Sequence, residues 1–189
     1  MRGTLNSKKD FIILFFDIET TNLSADYGRI LCCGFKYLNK KPFIVSQDQF
    51  SDYRRKLWDD RKVVEKIKTV LESADILVSY NGRRFDIPFI NSRLLYHGFS
   101  ALKKQRHIDL YWIIKYKYKL HRDSLKAVED FFFETKQPLK TPVTPVHWNK
   151  AAAGVKTSLE YVKRHCLNDV LLLERLFFSV KNSIESIYL

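Results

Sequence analysis

The 189-residue chain lacks several features that would place it at a membrane or outside the cell. No apolar run approaches the eighteen or so residues that cross a bilayer, so we expect no membrane partner. The first ten residues are polar and have no apolar signal-peptide core. These absences predict a soluble intracellular protein, cytoplasmic or, in a eukaryote, nuclear.

Cysteine is scarce, with only three residues in the chain. Cys32 and Cys33 are adjacent in a predicted strand, and Cys166 is alone in a predicted helix. Because no C-x-x-C pair occurs, the sequence indicates neither a disulfide framework nor a zinc ribbon. We interpret all three as thiols of the core.

Repeats, low-complexity tracts and interdomain linkers are also missing from the sequence. The length and the 46% hydrophobic content suit one domain with a substantial core. We predict a polar N-terminal tail over residues 1–10 and a single domain over residues 11–189.

Acidic residues are outnumbered by basic ones, 21 to 33, which gives a formal net charge of +12. Such an excess favours a polyanionic partner, with nucleic acid first. Eight basic residues fall between positions 103 and 126, interleaved with aromatic ones. This mixture suits a single strand, so Lys115, Lys117 and Lys119 are candidate phosphate contacts. The alternative is a solvated basic helix whose aromatic side chains face the core.

Hydrophobic periodicity predicts an α/β domain. The predicted strands, of which the first three form an antiparallel meander, cover residues 11–19, 29–38, 42–47, 75–82 and about 107–110. Helices are predicted around residues 63–71, 87–96 and 124–133, and a basic helix follows the last strand.

The last quarter of the chain combines an aperiodic segment with a clear helix. Residues 134–150 contain three prolines and no periodicity, so they are predicted to be a loop. The length of this loop and its Trp148 suggest a flap that covers a groove. The alternative is a plain excursion of the chain on the surface. A capping box at residues 157–160 then opens a helix with an apolar stripe.

Two acidic residues interrupt the most apolar of these strands. Asp17 and Glu19 follow the apolar run at residues 11–16 and, with period two, point to the same side. At a separation of about 6 Å they repel by roughly 3 kcal/mol at an effective dielectric near 20, so a cation should compensate them. In the alternative reading the strand ends at Asp17 and both acids are solvated. A shared divalent metal requires further carboxylates.

Two more acids stand where they could join this pair. Asp86 lies between a predicted strand and a predicted helix, where simple N-capping is the alternative. Asp169 lies on the flank of the apolar stripe of the last helix, and His165 shares its face one turn earlier. A surface contact between these two is the alternative there.

Three segments in this order, "FDIETT", "YNGRRFDIPFI" and "HCLNDV", resemble the exonuclease motifs of the DEDD superfamily of 3′–5′ exonucleases. The resemblance is greatest to the proofreading domain of B-family DNA polymerases and its stand-alone relatives. It spans roughly residues 11–177 and implies a ribonuclease H-like fold for the predicted domain at residues 11–189. That fold has a mixed sheet, in which the antiparallel three-strand meander is joined by parallel strands, flanked by helices.

The same resemblance implies a metal site. The family's four acidic ligands fall on Asp17, Glu19, Asp86 and Asp169, which would hold two Mg²⁺ or Mn²⁺ ions. Hard cations of this kind prefer oxygen ligands. Two such ions activate the attacking water and stabilise the departing 3′ oxygen.

The sequence departs from the family pattern at two positions. Asn22 replaces a glycine, and asparagine tolerates a left-handed turn. His165 stands at the spacing where the polymerase-like branch has tyrosine. With an ordinary pKa near 6.5, His165 is the candidate general base.

The resemblance implies a metal-dependent 3′–5′ exonuclease acting on single-stranded DNA and releasing nucleoside 5′-monophosphates, with a replication or repair complex as a candidate partner. Leu23, Asn81 and Phe85 are candidate substrate-binding residues, although Leu23 and Phe85 also suit the core. One alternative is an RNA 3′-end exonuclease of the same fold. The other is a non-catalytic nucleic-acid-binding module, which gains nothing from four clustered anions.

Overall fold

The computed structural model describes residues 11–133 and 138–188, with side chains to residue 184. The predicted N-terminal tail lies outside these residues. Five strands form one mixed sheet, β1 (Ile13–Thr20), β2 (Ile30–Tyr37), β3 (Phe43–Ser46), β4 (Ile76–Ser79) and β5 (Arg106–Asp109). They lie in the order β3-β2-β1-β4-β5. The first three are antiparallel neighbours, and β4 pairs in parallel with both β1 and β5, as the resemblance implied.

Helices flank both faces of this sheet. They are α1 (Arg61–Leu71), α2 (Asp86–Tyr96), α3 (Leu110–Lys117), α4 (Leu125–Phe133), α5 (Pro145–Ala152) and α6 (Lys156–Tyr188). Two short 3₁₀ turns cover Gln47–Gln49 and Tyr53–Arg55. Within the described ranges, every helix is too short or too polar to serve as a membrane span.

The central strand β1 is buried on both faces, which explains its continuous apolar run. Leu14 and Phe16 pack in a core with α1 and α2, whereas Phe15 packs on the opposite face with α3 and α6. Side chains alternate along a strand, so Asp17 and Glu19 follow Phe15 on the face that α6 covers. This alternation directs both acids toward the last helix.

Helix α6 approaches the sheet closely where β2 has a glycine. The Gly34 N–H donates to Cys166 Sγ at 3.0 Å, and Cys166 Sγ in turn donates to the backbone oxygen of Asp17 at 3.2 Å. A Cβ atom at residue 34 would lie 3.0 Å from the Cys166 carbonyl oxygen. All three cysteines are buried and free, as predicted.

Two predictions about the last quarter of the chain are wrong. The predicted loop at 134–150 contains α5, because Pro145 starts the helix at no hydrogen-bond cost and the Thr144 N–H donates to His147 Nδ1. Residues 134–137 of that loop lie outside the described residues. Helix α6 begins at Lys156, so the predicted capping box lies inside the helix rather than before it.

Candidate active site

Three separate elements bring four carboxylates to one cavity of about 760 Å³. Asp17 and Glu19 come from β1, Asp86 from the first position of α2, and Asp169 from the middle of α6. His165 also lines the cavity, and ligand atoms of Glu19, His165 and Asp169 lie within 4.8 Å of one another. The structure therefore brings together every residue that was predicted to be catalytic.

Asp86 is directed at β1 rather than at its own helix. Its Oδ1 accepts the Ile18 N–H at 3.1 Å, while Phe85 occupies the N-cap position of α2. Capping, the simpler alternative, therefore does not account for Asp86. A hydrogen bond to the backbone between the two β1 acids fixes its carboxylate beside them.

The turn before Asp86 is held by a second buried carboxylate. Asn81, in a left-handed conformation with φ 63°, donates its N–H to Asp109 Oδ1 at 2.7 Å, and the Arg83 N–H donates to Asp109 Oδ2 at 3.0 Å. A Cβ atom at Gly82 would lie 2.2 Å from Ser79 Oγ. Glycine is therefore required between the strand and the helix.

Burial is the main cause of the raised carboxyl pKa values in this cavity. It raises the pKa of Glu19 to about 8 and of Asp86 to about 7. Burial and then the charges of Asp169, Asp86 and Glu19 raise the pKa of Asp17 well above its ordinary value. Burial likewise raises the pKa of Asp169. Ionising all four groups is unfavourable unless a cation joins them.

Lys140 supplies one such cation. Its ammonium group donates to the Asp169 carboxylate and lies 3.2 Å from His165 Nε2. Burial opposes the charge of Lys140, but Asp169 and Asp17 outweigh it and raise the pKa of the amine. The acid pair in β1 predicted a compensating cation, but nothing in the local sequence pointed to this lysine.

Lys140 belongs to residues 138–148, which we call the strap. Helix α4 fixes its start, since the fully buried carboxylate of Glu129 accepts the N–H groups of Leu139 at 2.6 Å and Lys140 at 3.1 Å. The Trp148 indole N–H, at its other end, donates to Glu19 Oε2 at 2.6 Å. The strap thus crosses the cavity, which confirms the flap over a groove and excludes the surface excursion.

His165 has a different electrostatic setting from the one expected. Burial and the neighbouring Lys140 lower its pKa to about 3, so the expectation of a value near 6.5 is wrong for this environment. Its Nδ1 is hydrogen-bonded to Thr141 Oγ1 of the strap at 2.7 Å. The imidazole is consequently neutral at neutral pH and fixed in orientation.

The residues of the cavity fit a divalent cation. Asp169 Oδ1 is buried and has no hydrogen-bond partner among the described residues, and a cationic group already lies against Oδ2 of the same carboxylate. The donors of Asp17, Glu19, Asp86 and Asp169 are all oxygen atoms, which Mg²⁺ and Mn²⁺ prefer.

The predicted substrate-binding residues divide into two groups. Asn81 and Phe85 line the cavity, and Leu23, 83% exposed, borders an adjoining groove of about 370 Å³ with Phe85 and Trp148. Lys115, Lys117 and Lys119 instead line a separate groove of about 360 Å³ at the end of α3. The structure does not bring these lysines into the carboxylate cavity.

Comparisons with known proteins agree with this architecture. A family model of the RNase_H superfamily matches residues 14–180. A PolC-type DNA polymerase III from Ureaplasma parvum is 30% identical over 48% of this chain, which spans 8% of that protein. The structure of the family B DNA polymerase from Pyrobaculum calidifontis superposes with a TM-score of 0.74 at 17% identity. It covers 94% of this chain, which corresponds to a quarter (25%) of the polymerase.

Proposed function

The chain belongs to the RNase H superfamily, and from that membership we propose that it is a metal-dependent 3′–5′ exonuclease acting on single-stranded DNA. The observation that carries the proposal is the convergence of Asp17, Glu19, Asp86 and Asp169 on one cavity. Three buried acids and the partly buried Asp17, all with raised pKa values, are costly to a protein that only binds nucleic acid. They are useful to one that holds cations for hydrolysis.

The four carboxylates would hold two divalent ions, Mg²⁺ or Mn²⁺. When bound, these ions supply the charge that activates the attacking water and stabilises the departing 3′ oxygen. Asp86 is already oriented for this role by the Ile18 N–H. The close approach of α6 to β2 at Gly34 fixes the position of Asp169 relative to the sheet. The products would be nucleoside 5′-monophosphates.

His165 is the candidate for orienting the attacking water. Its Nε2 lies 3.7 Å from Glu19 Oε1 and 3.7 Å from Asp169 Oδ2, between two of the proposed ligands. Because its pKa is lowered, the imidazole accepts a hydrogen bond across the whole neutral range. The Thr141 hydroxyl keeps the ring in this orientation.

Lys140 has two roles in this proposal. It compensates the carboxylates when no metal is present, and its anchorage by Glu129 keeps its positive charge at the cavity when a cation replaces it at Asp169. The terminal base of the substrate would occupy the groove beside Leu23, Phe85 and Trp148, which Glu19 also lines.

The decisive assay uses 5′-labelled single- and double-stranded DNA and RNA, with protein in Mg²⁺, Mn²⁺ or EDTA. We expect a ladder that shortens from the 3′ end of single-stranded DNA in either metal, and intact substrate in EDTA. If only the RNA is shortened, the substrate is RNA rather than DNA. Intact substrates in both metals, or internal cuts, would contradict the proposal.

A further inference from the structure

A row of four aromatic rings leads from the cavity to the surface. Tyr80 lines the cavity, and its ring centroid lies 5.8 Å from that of Tyr111. Tyr111 lies 5.1 Å from Trp112, and Trp112 stacks on Tyr116 at 5.5 Å with an interplanar angle of 15°. The row ends at Tyr116, which is 73% exposed.

Cationic groups accompany the outer half of this row. The Arg84 guanidinium lies 5.8 Å from the Trp112 ring centroid, and the Lys115 ammonium lies 5.5 Å from the same ring. Lys117 and Lys119 line the groove next to Tyr116. The exposed ring of Tyr116, next to a Trp112 ring that has cations over it, matches a polyanion that has stackable bases.

The row is fixed to the cavity through Asp109. This buried carboxylate accepts the N–H groups of Asn81 and Arg83 in the turn before α2, and also the Tyr111 N–H at 3.2 Å. That turn delivers Asp86 to the cavity and Arg84 to the Trp112 ring. The distance between the carboxylates and the aromatic row is therefore set by the fold.

We propose that Trp112 and Tyr116, with Arg84 and Lys115, form a second subsite that binds single-stranded nucleic acid outside the cavity. The inference rests on the proposed function, since the subsite holds the 5′ portion of a strand whose 3′ end lies in the cavity. Bases stack on the exposed face of Tyr116, and the cations pair with the phosphates. Paired bases cannot stack in this way, so the subsite selects single strands.

The test is equilibrium binding in EDTA, measured by fluorescence anisotropy with 5′-labelled dT20 and rU20. For Tyr116→Ala we expect the affinity for the strand to fall roughly tenfold, because stacking outside the cavity is lost. Tyr116→Phe, which retains the ring, should behave as wild type. If Tyr116→Ala loses affinity only for dT20, the subsite is assigned to DNA. If it loses affinity only for rU20, the subsite is assigned to RNA.

Tyr96→Ala is the matched control. Tyr96 is 74% exposed on α2 and has the Arg93 guanidinium 4.4 Å from its ring centroid, but it lies at the far end of the helix from Asp86. An unchanged affinity for both dT20 and rU20 in Tyr116→Ala, or an equal loss of affinity in Tyr96→Ala, would overturn the subsite. Because no metal and no cleavage are involved, this outcome is independent of the nuclease assay.

Discussion

The ammonium group of Lys140 is hydrogen-bonded to the carboxylate of Asp169, although the two residues are 29 positions apart and lie on the strap and on α6. This pair sits among four acids whose burial makes their joint ionisation unfavourable. It provides a cation at the place where the proposed function requires one. The strap and the carboxylates therefore have to be considered together in any test of the site.

Asp17→Ala should abolish cleavage while leaving single-strand binding largely intact, because basic and aromatic residues outside the cavity supply the affinity. Without metal the variant should also melt at a higher temperature, since one of four repelling carboxylates is gone. Each kcal/mol gained corresponds to roughly 2–4 °C in a chain of this size. Ladder assays and thermal melts in EDTA give the two readouts.

Asp26→Ala is the matched control for that variant, because Asp26 is an exposed aspartate outside the cavity. It should behave as wild type in both measurements. Normal turnover by Asp17→Ala in Mg²⁺ would remove Asp17 from the proposed metal ligands.

Stability without metal should fall as the pH rises from about 4 to about 8. The folded-state pKa values of Asp86, about 7, and Glu19, about 8, lie above those of the unfolded chain. The folded state therefore binds protons more tightly, and the stability this contributes is present at low pH and is lost as the pH rises through the folded values. Thermal melts in EDTA at pH 5 and pH 8 measure the effect.

Added Mn²⁺ should restore the lost stability at pH 8 and do little at pH 5, where protons already neutralise the acids. Asp86→Asn, which removes one titrating group at nearly constant shape, should flatten the pH dependence in EDTA. Melts that are equally stable in EDTA at both pH values would contradict the electrostatic account of the cavity.

Lys140→Ala should bind Mn²⁺ more tightly than wild type and be less stable in EDTA. The ammonium group and the metal compete for Asp169, and without either one the carboxylates lose their cation. Calorimetric titration with Mn²⁺ and melts in EDTA report these opposite effects. Lys126→Ala is the control, since Lys126 also borders the cavity but pairs with Asp130. Weaker Mn²⁺ binding by Lys140→Ala would show that the lysine assists the metal instead.

His165→Ala should reduce the cleavage rate by roughly 10²–10⁴ at saturating metal, as expected for loss of a group that handles the water proton. His165→Tyr should recover part of it. Because the pKa of His165 is lowered to about 3, its titration should leave no acid limb between pH 5 and pH 8. Single-turnover rates across that range test both points. A cleavage rate within a few-fold of wild type for His165→Ala would show that His165 only packs in the cavity wall.

The sequence predicted the parts of the site that depend on local periodicity. Alternation along β1 put Asp17 and Glu19 on one face, and helical spacing put His165 and Asp169 together. The antiparallel meander of the first three strands was predicted from the same apolar patterns, and a single sequence is sufficient for such local features. The parallel pairing of β4 with β1 and β5 was implied by the family resemblance and not by periodicity.

The strap could not be predicted in the same way. Three prolines and the absence of periodicity concealed α5, and the position of Lys140 depends on a buried carboxylate, Glu129, about ten residues earlier in the chain. The pKa of His165 is likewise set by burial and by Lys140, which no motif specifies. Long-range contacts that fix an irregular backbone leave no periodic signal.

The acidic lining of the cavity contrasts with the formal charge of +12 carried by the whole chain. At a pH above the raised pKa values of Asp86 and Glu19, about 7 and about 8, the ionised carboxylates outnumber Lys140, so without a bound metal the cavity repels the phosphates that the surrounding surface attracts. For the proposed nuclease, this contrast determines the order in which the metal ions and the substrate bind in the cavity. A strand can collect on the basic surface at any time, but its scissile phosphate enters only after divalent ions have reversed the sign of the local potential.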